Sequence, residues 1–152
     1  MCARRKVLFL CTRNSCRSQM AEGWTRRFHD ETIEAFSAGT TPGSLDPRAV
    51  RVMAEAGVDI SGQRPKHLQE LLAQAFDSVI TVCARARESC PAFPSGIRKW
   101  HADFEDPPYL AEGAATEDAA LAPYRRVRDE VRAFVAQLPQ YLDDAGTTPR
   151  AF

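Results

Sequence analysis

Residues 11–18 read Cys-Thr-Arg-Asn-Ser-Cys-Arg-Ser, with a thiol at Cys11 and a guanidinium at Arg17 in a Cys-x5-Arg spacing. Val7-Leu8-Phe9-Leu10 precede this stretch and Ser18-Gln19-Met20-Ala21-Glu22-Gly23-Trp24 follow it. A short buried strand thus runs into a tight loop, and the loop into a helix N-terminus. Free backbone N–H groups converge in such a loop, and the helix dipole favours negative charge there. Thr12, Arg13, Asn14, Ser15, Cys16, Arg17 and Ser18 are therefore the expected oxyanion-binding loop. The planar fork of Arg17 can hold two oxygens of a tetrahedral anion. Cys11 would sit under the central atom, with its pKa lowered by the N–H groups and Arg17 so that it is the reactive thiolate. Asn14 suits a left-handed mid-loop position, and Ser18 can donate its hydroxyl to the Cys11 sulfur. On spacing alone, a core cysteine with a surface arginine would be the plain alternative. The apolar strand, Ser18 and the helix pattern argue against it.

A thiolate that attacks a tetrahedral oxyanion expels an oxygen that needs a proton. Asp103, Glu105 and Asp106 cluster in one proline-broken segment, and the residues alone do not choose among them or exclude a solvated acidic turn. Cys83 ends an apolar run, and Cys90 follows after a short helix-prone segment. They could be bystanders, but a dithiol near a reactive thiolate suggests disulfide exchange. Zinc fits poorly: Cys-x4-Cys and Cys-x6-Cys are not the usual knuckle spacings, so no metal is expected. His29, His67 and His101 are scattered and read as structural or surface groups.

The elements that must position these groups alternate between strand and helix. Strands are predicted over 6–10, 32–38, 76–82 and 97–101. Helices are predicted over 18–29, 47–56, 67–75 and 118–142, with a short helix-prone piece at 84–89 and loops at 103–108 and 111–117. The pattern predicts an α/β fold: a four-stranded parallel sheet with right-handed crossovers and helices on both faces. Ligands sit beyond the carboxyl ends of such strands, so Cys11 and Cys83 should share one sheet edge. The 152 residues suit one domain, expected over 1–142, with a polar tail at 143–152. Lys plus Arg and Asp plus Glu each number 20, so nothing suggests a nucleic-acid or membrane-surface binder. The apolar run after Arg4-Arg5-Lys6 is too short for a signal peptide or a membrane span. Five cysteines without an export signal then point to a reducing cytoplasm.

The chain resembles the thioredoxin-coupled arsenate reductases of the low-molecular-weight protein tyrosine phosphatase superfamily over roughly residues 5–140. The carriers are Cys-Thr-x-Asn-Ser-Cys-Arg-Ser-Gln-Met-Ala-Glu-Gly-Trp at 11–24, Ser37-Ala38-Gly39, Thr81-Val82-Cys83, Cys90-Pro91, Trp100, Phe104-Glu105-Asp106-Pro107 and Arg126-Val127-Arg128-Asp129-Glu130. Plain phosphatases of the superfamily usually carry Pro at the place of Gln19 and lack the Cys83/Cys90 pair.

The resemblance implies that Arg17 and the loop hold arsenate, Cys11 attacks arsenic and Asp106 protonates the leaving oxygen. It further implies that Cys83 attacks Cys11 and releases arsenite, and that Cys90 carries the disulfide outward for reduction by thioredoxin. Phosphate or sulfate would compete, no bound cofactor is implied and a monomer is expected. Cys16 matches a loop cysteine outside the relay, and Cys2 matches nothing. A phosphatase acting on phosphate monoesters is the alternative, and a non-catalytic oxyanion-binding module a weaker one. Some of these reductases bind potassium beside the loop through residues matching Asn14, Glu22, Ser37 and an aspartate. Here Lys66 stands at the aspartate's place, so its ammonium is expected to pair with Glu22 and support the loop through Asn14 and Ser37.

Overall fold

Val7, Leu8, Phe9 and Leu10 are all fully buried, on both faces of the strand β1 (Arg5–Cys11). A strand buried on both sides must be central and covered by chain above and below. The computed structural model, which describes residues 3–94 and 96–143, places it so. β1 lies between β2 (Ile33–Gly39) and β3 (Ser78–Thr81), and β4 (Arg98–His101) flanks β3. The sheet order is β2-β1-β3-β4 and every pairing is parallel, as predicted. Registers Cys11↔Gly39 and Leu10↔Thr81 align the carboxyl ends of β2, β1 and β3.

Helix α1 (Arg17–His29) packs on β1 and β2, and α3 (Ala84–Glu88) touches β1 and β3. Helix α5 (Glu117–Ala136) packs against α1, α2 (Pro47–Glu55) and α4 (Pro107–Ala111). Its buried stripe is Leu121, Tyr124, Val127, Val131, Phe134 and Val135, an apolar face at helical spacing. Asp46 caps α2 by accepting from the Arg48 N–H at 2.9 Å, and Pro47 opens it.

Three elements differ from expectation. The helix predicted over 67–75 is only a 3-10 turn, Leu68–Leu71. Leu68 is buried there but Leu72 is 57% exposed, so the segment lacks the apolar face that sustains a helix. The loop predicted around 103–108 gives way to α4, because Pro107 and Pro108 occupy first-turn positions where the missing N–H costs nothing. The long helix predicted to 142 breaks at Gln137 and restarts as α6 (Leu138–Asp143). Pro139 lacks the N–H that would continue the ladder, and its ring crowds the preceding turn. Cys2 and the tail beyond Asp143 lie outside the described residues. No helix among the described residues is long and apolar enough to cross a membrane.

Gly39 ends β2 against the loop after β1. A Cβ there would stand 2.6 Å from the Thr12 carbonyl oxygen and 3.1 Å from Asn14 Cβ. Gly39→Ala is expected to lower unfolding free energy by about 1–3 kcal/mol, read by urea denaturation. A wild-type midpoint would contradict so close an approach.

Candidate active site

Every carbonyl of the loop between β1 and α1 is tied outward. Backbone N–H groups of Thr40, Thr41, Gly43 and Asp46 donate to the carbonyls of Cys11 (3.2 Å), Thr12 (2.8 Å), Arg13 (2.9 Å) and Ser15 (3.0 Å). The Gln19 side-chain amide donates to the Asn14 carbonyl at 2.9 Å, and the Met20 N–H to that of Cys16 at 2.9 Å. In a planar trans peptide the N–H points opposite to the C=O. The N–H groups of residues 12–17 therefore turn toward the pocket those residues line. Asn14 makes this reversal in the left-handed region, at φ 53°, as its residue type suggested.

The pocket measures about 580 Å³ and no aromatic residue among the described residues lines it. Cys11 and Arg17 share it with Cys83, Arg85, Asp46 and Asp106. Arg17 donates to the Phe104 carbonyl at 2.9 Å and stands 3.4 Å from the Asp106 carboxylate, so it draws the acidic segment to the pocket rim. The three acids separate cleanly. Glu105 pairs with Arg126 at 2.8 Å and Asp103 with His101 at 3.7 Å, while Asp106 faces the pocket.

Cys11 and Cys83 come together as the shared sheet edge predicts. Both are buried and free, and both line the pocket. The lowered Cys11 pKa that the sequence predicts is not met, because Cys83 enters the balance. With Cys11 as neighbour and contacts from the Thr12 hydroxyl (3.4 Å) and the Ala86 N–H (3.4 Å), Cys83 has its pKa lowered to about 5 against the opposing cost of burial. The Cys11 thiol is pushed well up by the neighbouring Cys83 and by burial, with Arg17 only partly offsetting them. Two thiols coupled in this way titrate as a pair, the second proton coming off less readily than the first.

Cys90 lies past the end of α3, half-buried, and its thiol contacts the Pro91 carbonyl at 3.6 Å. Burial raises its pKa. Cys16 is buried in the pocket wall and its thiol is likewise raised by burial. The expected Ser18–Cys11 hydrogen bond is not formed among the described residues. The Ser18 hydroxyl instead accepts from Asn14 Nδ2 at 2.8 Å, which fixes the loop rather than the sulfur.

The loop-support residues meet as expected, with different partners. Glu22 is 2% exposed and accepts from the Ser37 hydroxyl at 2.7 Å. Its nearest cation is Arg26 at 2.9 Å, which the sequence reading missed although the i,i+4 spacing signals it. The Lys66 ammonium stands 3.9 Å from Glu22 and donates to the Arg64 carbonyl at 3.0 Å. Lys66 reaches Asn14 through its backbone N–H, which donates to Asn14 Oδ1 at 3.0 Å. Burial lowers the Lys66 pKa. The 40–46 segment and Asp46 were also missed as parts of the site. Asp46 caps α2, donates its N–H to Ser15 and accepts from the buried Tyr124 hydroxyl at 2.6 Å. None of the three histidines lines the pocket. No group of three metal-ligating side chains occurs among the described residues.

Known proteins are similar to this chain over most of its length. The arsenate reductase of Halalkalibacterium halodurans is 41% identical over 128 residues, covering 84% of this chain and 90% of the relative. That of Bacillus subtilis is 40% identical over 125 residues, covering 82% and 88%. Among solved structures, an arsenate reductase in the phosphate binding state superposes with a TM-score of 0.69 at 31% identity, covering 91% of this chain and 98% of that one. The thioredoxin-dependent arsenate reductase of Corynebacterium glutamicum gives 0.68 at 27%, covering 92% and 62%. A low molecular weight protein tyrosine phosphatase from T. tengcongensis gives 0.70 at 29%, covering 90% and 99%. Shape alone therefore does not separate reductase from phosphatase. The model of the family described as low molecular weight phosphotyrosine protein phosphatase matches residues 6–147, and the chain belongs to that family.

Proposed function

We propose that this chain is an arsenate reductase that uses Cys11, Cys83 and Cys90 in sequence and thioredoxin as electron donor. The observation that carries the reading is the second buried, free thiol, Cys83, lining the same oxyanion pocket as Cys11. Ester hydrolysis has no use for it; reduction needs it. The names of the curated relatives support the same reading. So does a pocket without an aromatic surface on which a phenyl ester could stack, since a small inorganic anion needs none.

Arsenate enters against the loop N–H groups and Arg17. The Cys11 proton passes to Cys83, which frees Cys11 as nucleophile with no exchange with solvent. Cys11 attacks arsenic, an S–As bond forms, and the departing oxygen leaves with a proton from Asp106. Cys83 then attacks the Cys11 sulfur, giving up its proton to an oxygen of the departing arsenic group. The S–S bond forms, the S–As bond breaks, and its electron pair stays on arsenic, which leaves as arsenite. Cys90 attacks Cys83, restoring Cys11 and moving the disulfide to Cys83–Cys90. A dithiol such as thioredoxin reduces that bond. The step from buried Cys83 to half-buried Cys90 supports this outward direction.

The Lys66 ammonium acts as an internal cation for the Glu22 pocket, together with Arg26. It helps keep the Ser37–Glu22 hydrogen bond and the Asn14 contact in register.

The reading is tested by arsenate-dependent NADPH consumption with thioredoxin and thioredoxin reductase. Cys90→Ser should complete one turnover and stall with Cys11 and Cys83 bridged, as found by peptide mapping. A stalled protein lacking that bridge refutes the relay. Phosphate-ester turnover without arsenate-dependent oxidation would favour the phosphatase.

Cys83→Ala removes the largest influence that holds the proton on Cys11, so the Cys11 pKa should fall. Iodoacetamide should then label Cys11 at pH 7 at least about threefold faster than in the wild type. An unchanged or slower rate contradicts that coupling.

Lys66→Asp should make melting temperature and activity rise saturably with potassium, compared with a large organic cation at matched ionic strength. The wild type should show no such rise. A potassium response already present in the wild type contradicts the internal-cation role.

A further inference from the structure

The residue that ties the Asn14 carbonyl is a side chain, whereas backbone N–H groups tie the carbonyls of residues 11, 12, 13, 15 and 16. That side chain, Gln19, is fully buried on the first turns of α1. Its amide is itself held. Gln63 Nε2 donates to the Gln19 backbone carbonyl at 3.0 Å and to Gln19 Oε1 at 2.8 Å.

The direction of this chain follows from its two ends, because a backbone carbonyl can only accept. The group facing the Gln19 carbonyl must be the Gln63 NH2. That NH2 also meets the Gln19 side-chain oxygen, which leaves the Gln19 NH2 at the far end. There it faces the Asn14 carbonyl, again an acceptor only. Neither amide can flip without setting oxygen against oxygen.

Gln63 is fixed in turn. Its N–H donates to the Ile60 carbonyl at 2.9 Å. Ile60 presses on α1 where Gly23 lacks a side chain; a Cβ on Gly23 would stand 2.6 Å from Ile60 Cγ2.

We propose that Gln63 and Gln19 form an amide relay that locks the Asn14–Ser15 peptide with its carbonyl away from the pocket and its N–H toward the bound oxyanion. Gln19 is thereby a positioning residue for oxyanion affinity. The proposal rests on the reading of residues 12–17 as the oxyanion loop. A flipped Asn14–Ser15 peptide would point a carbonyl at the anion and strand the Gln19 NH2 in a buried site, and the relay makes that alternative costly. A proline at this position has no amide to give, so a chain with one must orient this peptide by other means.

The probe is inorganic phosphate, titrated by calorimetry and by the 15N shift of the Ser15 amide, with melting temperature measured alongside. Gln19→Met keeps the side-chain length and removes the amide. It should weaken phosphate binding on the order of tenfold and abolish the phosphate-induced Ser15 shift. In turnover it should raise KM for arsenate by a similar factor, with kcat within about threefold. Gln63→Met, at a half-buried position, should weaken binding about threefold alone and add nothing in the Gln19→Met background. If Gln19→Met does not fold, Gln63→Met carries the test by the same two readouts. A lower melting temperature with phosphate affinity within about twofold of wild type and an intact Ser15 shift would overturn the relay. Failure of the wild type to bind phosphate would instead overturn the loop reading, and the proposal with it.

Discussion

The site depends on where the loop's carbonyls go. A loop of free N–H groups is no anion site unless its own carbonyls face elsewhere, because each peptide brings both charges. Here residues 40–46 run beside the loop and take up four of its carbonyls, Gln19 takes a fifth and the first turn of α1 a sixth. The inward fan of N–H groups follows from that pairing rather than from the loop sequence alone. Gly39 and Gly43 keep the two segments close. A Cβ on Gly43 would stand 2.6 Å from the Arg13 guanidinium.

The second constraint is electrostatic. Two buried thiols meet with Arg17 close enough to bias both. Burial of both sulfurs makes a double negative charge costly. Arg17 also fixes the Phe104 carbonyl and Asp106, so one guanidinium joins the anion loop, the thiol pair and the acidic segment.

Much of this was legible in the sequence, and the rest was not for physical reasons. The continuous apolar run 7–10 announced a central strand, and strand–helix alternation announced the parallel sheet. Asp46-Pro47 announced a helix start. These signals are local. What escaped was long-range or depended on competition. Nothing in Thr40-Thr41-Pro42-Gly43 marks it as the loop's backbone partner, since backbone pairing leaves little trace in side-chain type. The leucines at 68, 71 and 72 look helical until tertiary packing leaves Leu72 in solvent. Pro139 carried its warning openly, but the apolar stripe across it was the stronger pattern. The upward push on the Cys11 thiol was missed because the N–H groups and Arg17 were weighed without the second sulfur.

The backbone pairing between residues 11–16 and 40–46 also has an order in time. During synthesis Cys11 and Arg17 emerge well before residues 40–46, and before Gln63 and Lys66. Until those arrive, the carbonyls of Cys11, Thr12, Arg13 and Ser15 have only water to bond, Gln19 has no Gln63 to hold its amide, and Cys83 does not yet exist. A nascent chain therefore carries Cys11 as an ordinary thiol. Its special chemistry switches on only with closure of the sheet and docking of the later segments, so reactivity and completed tertiary structure arrive together.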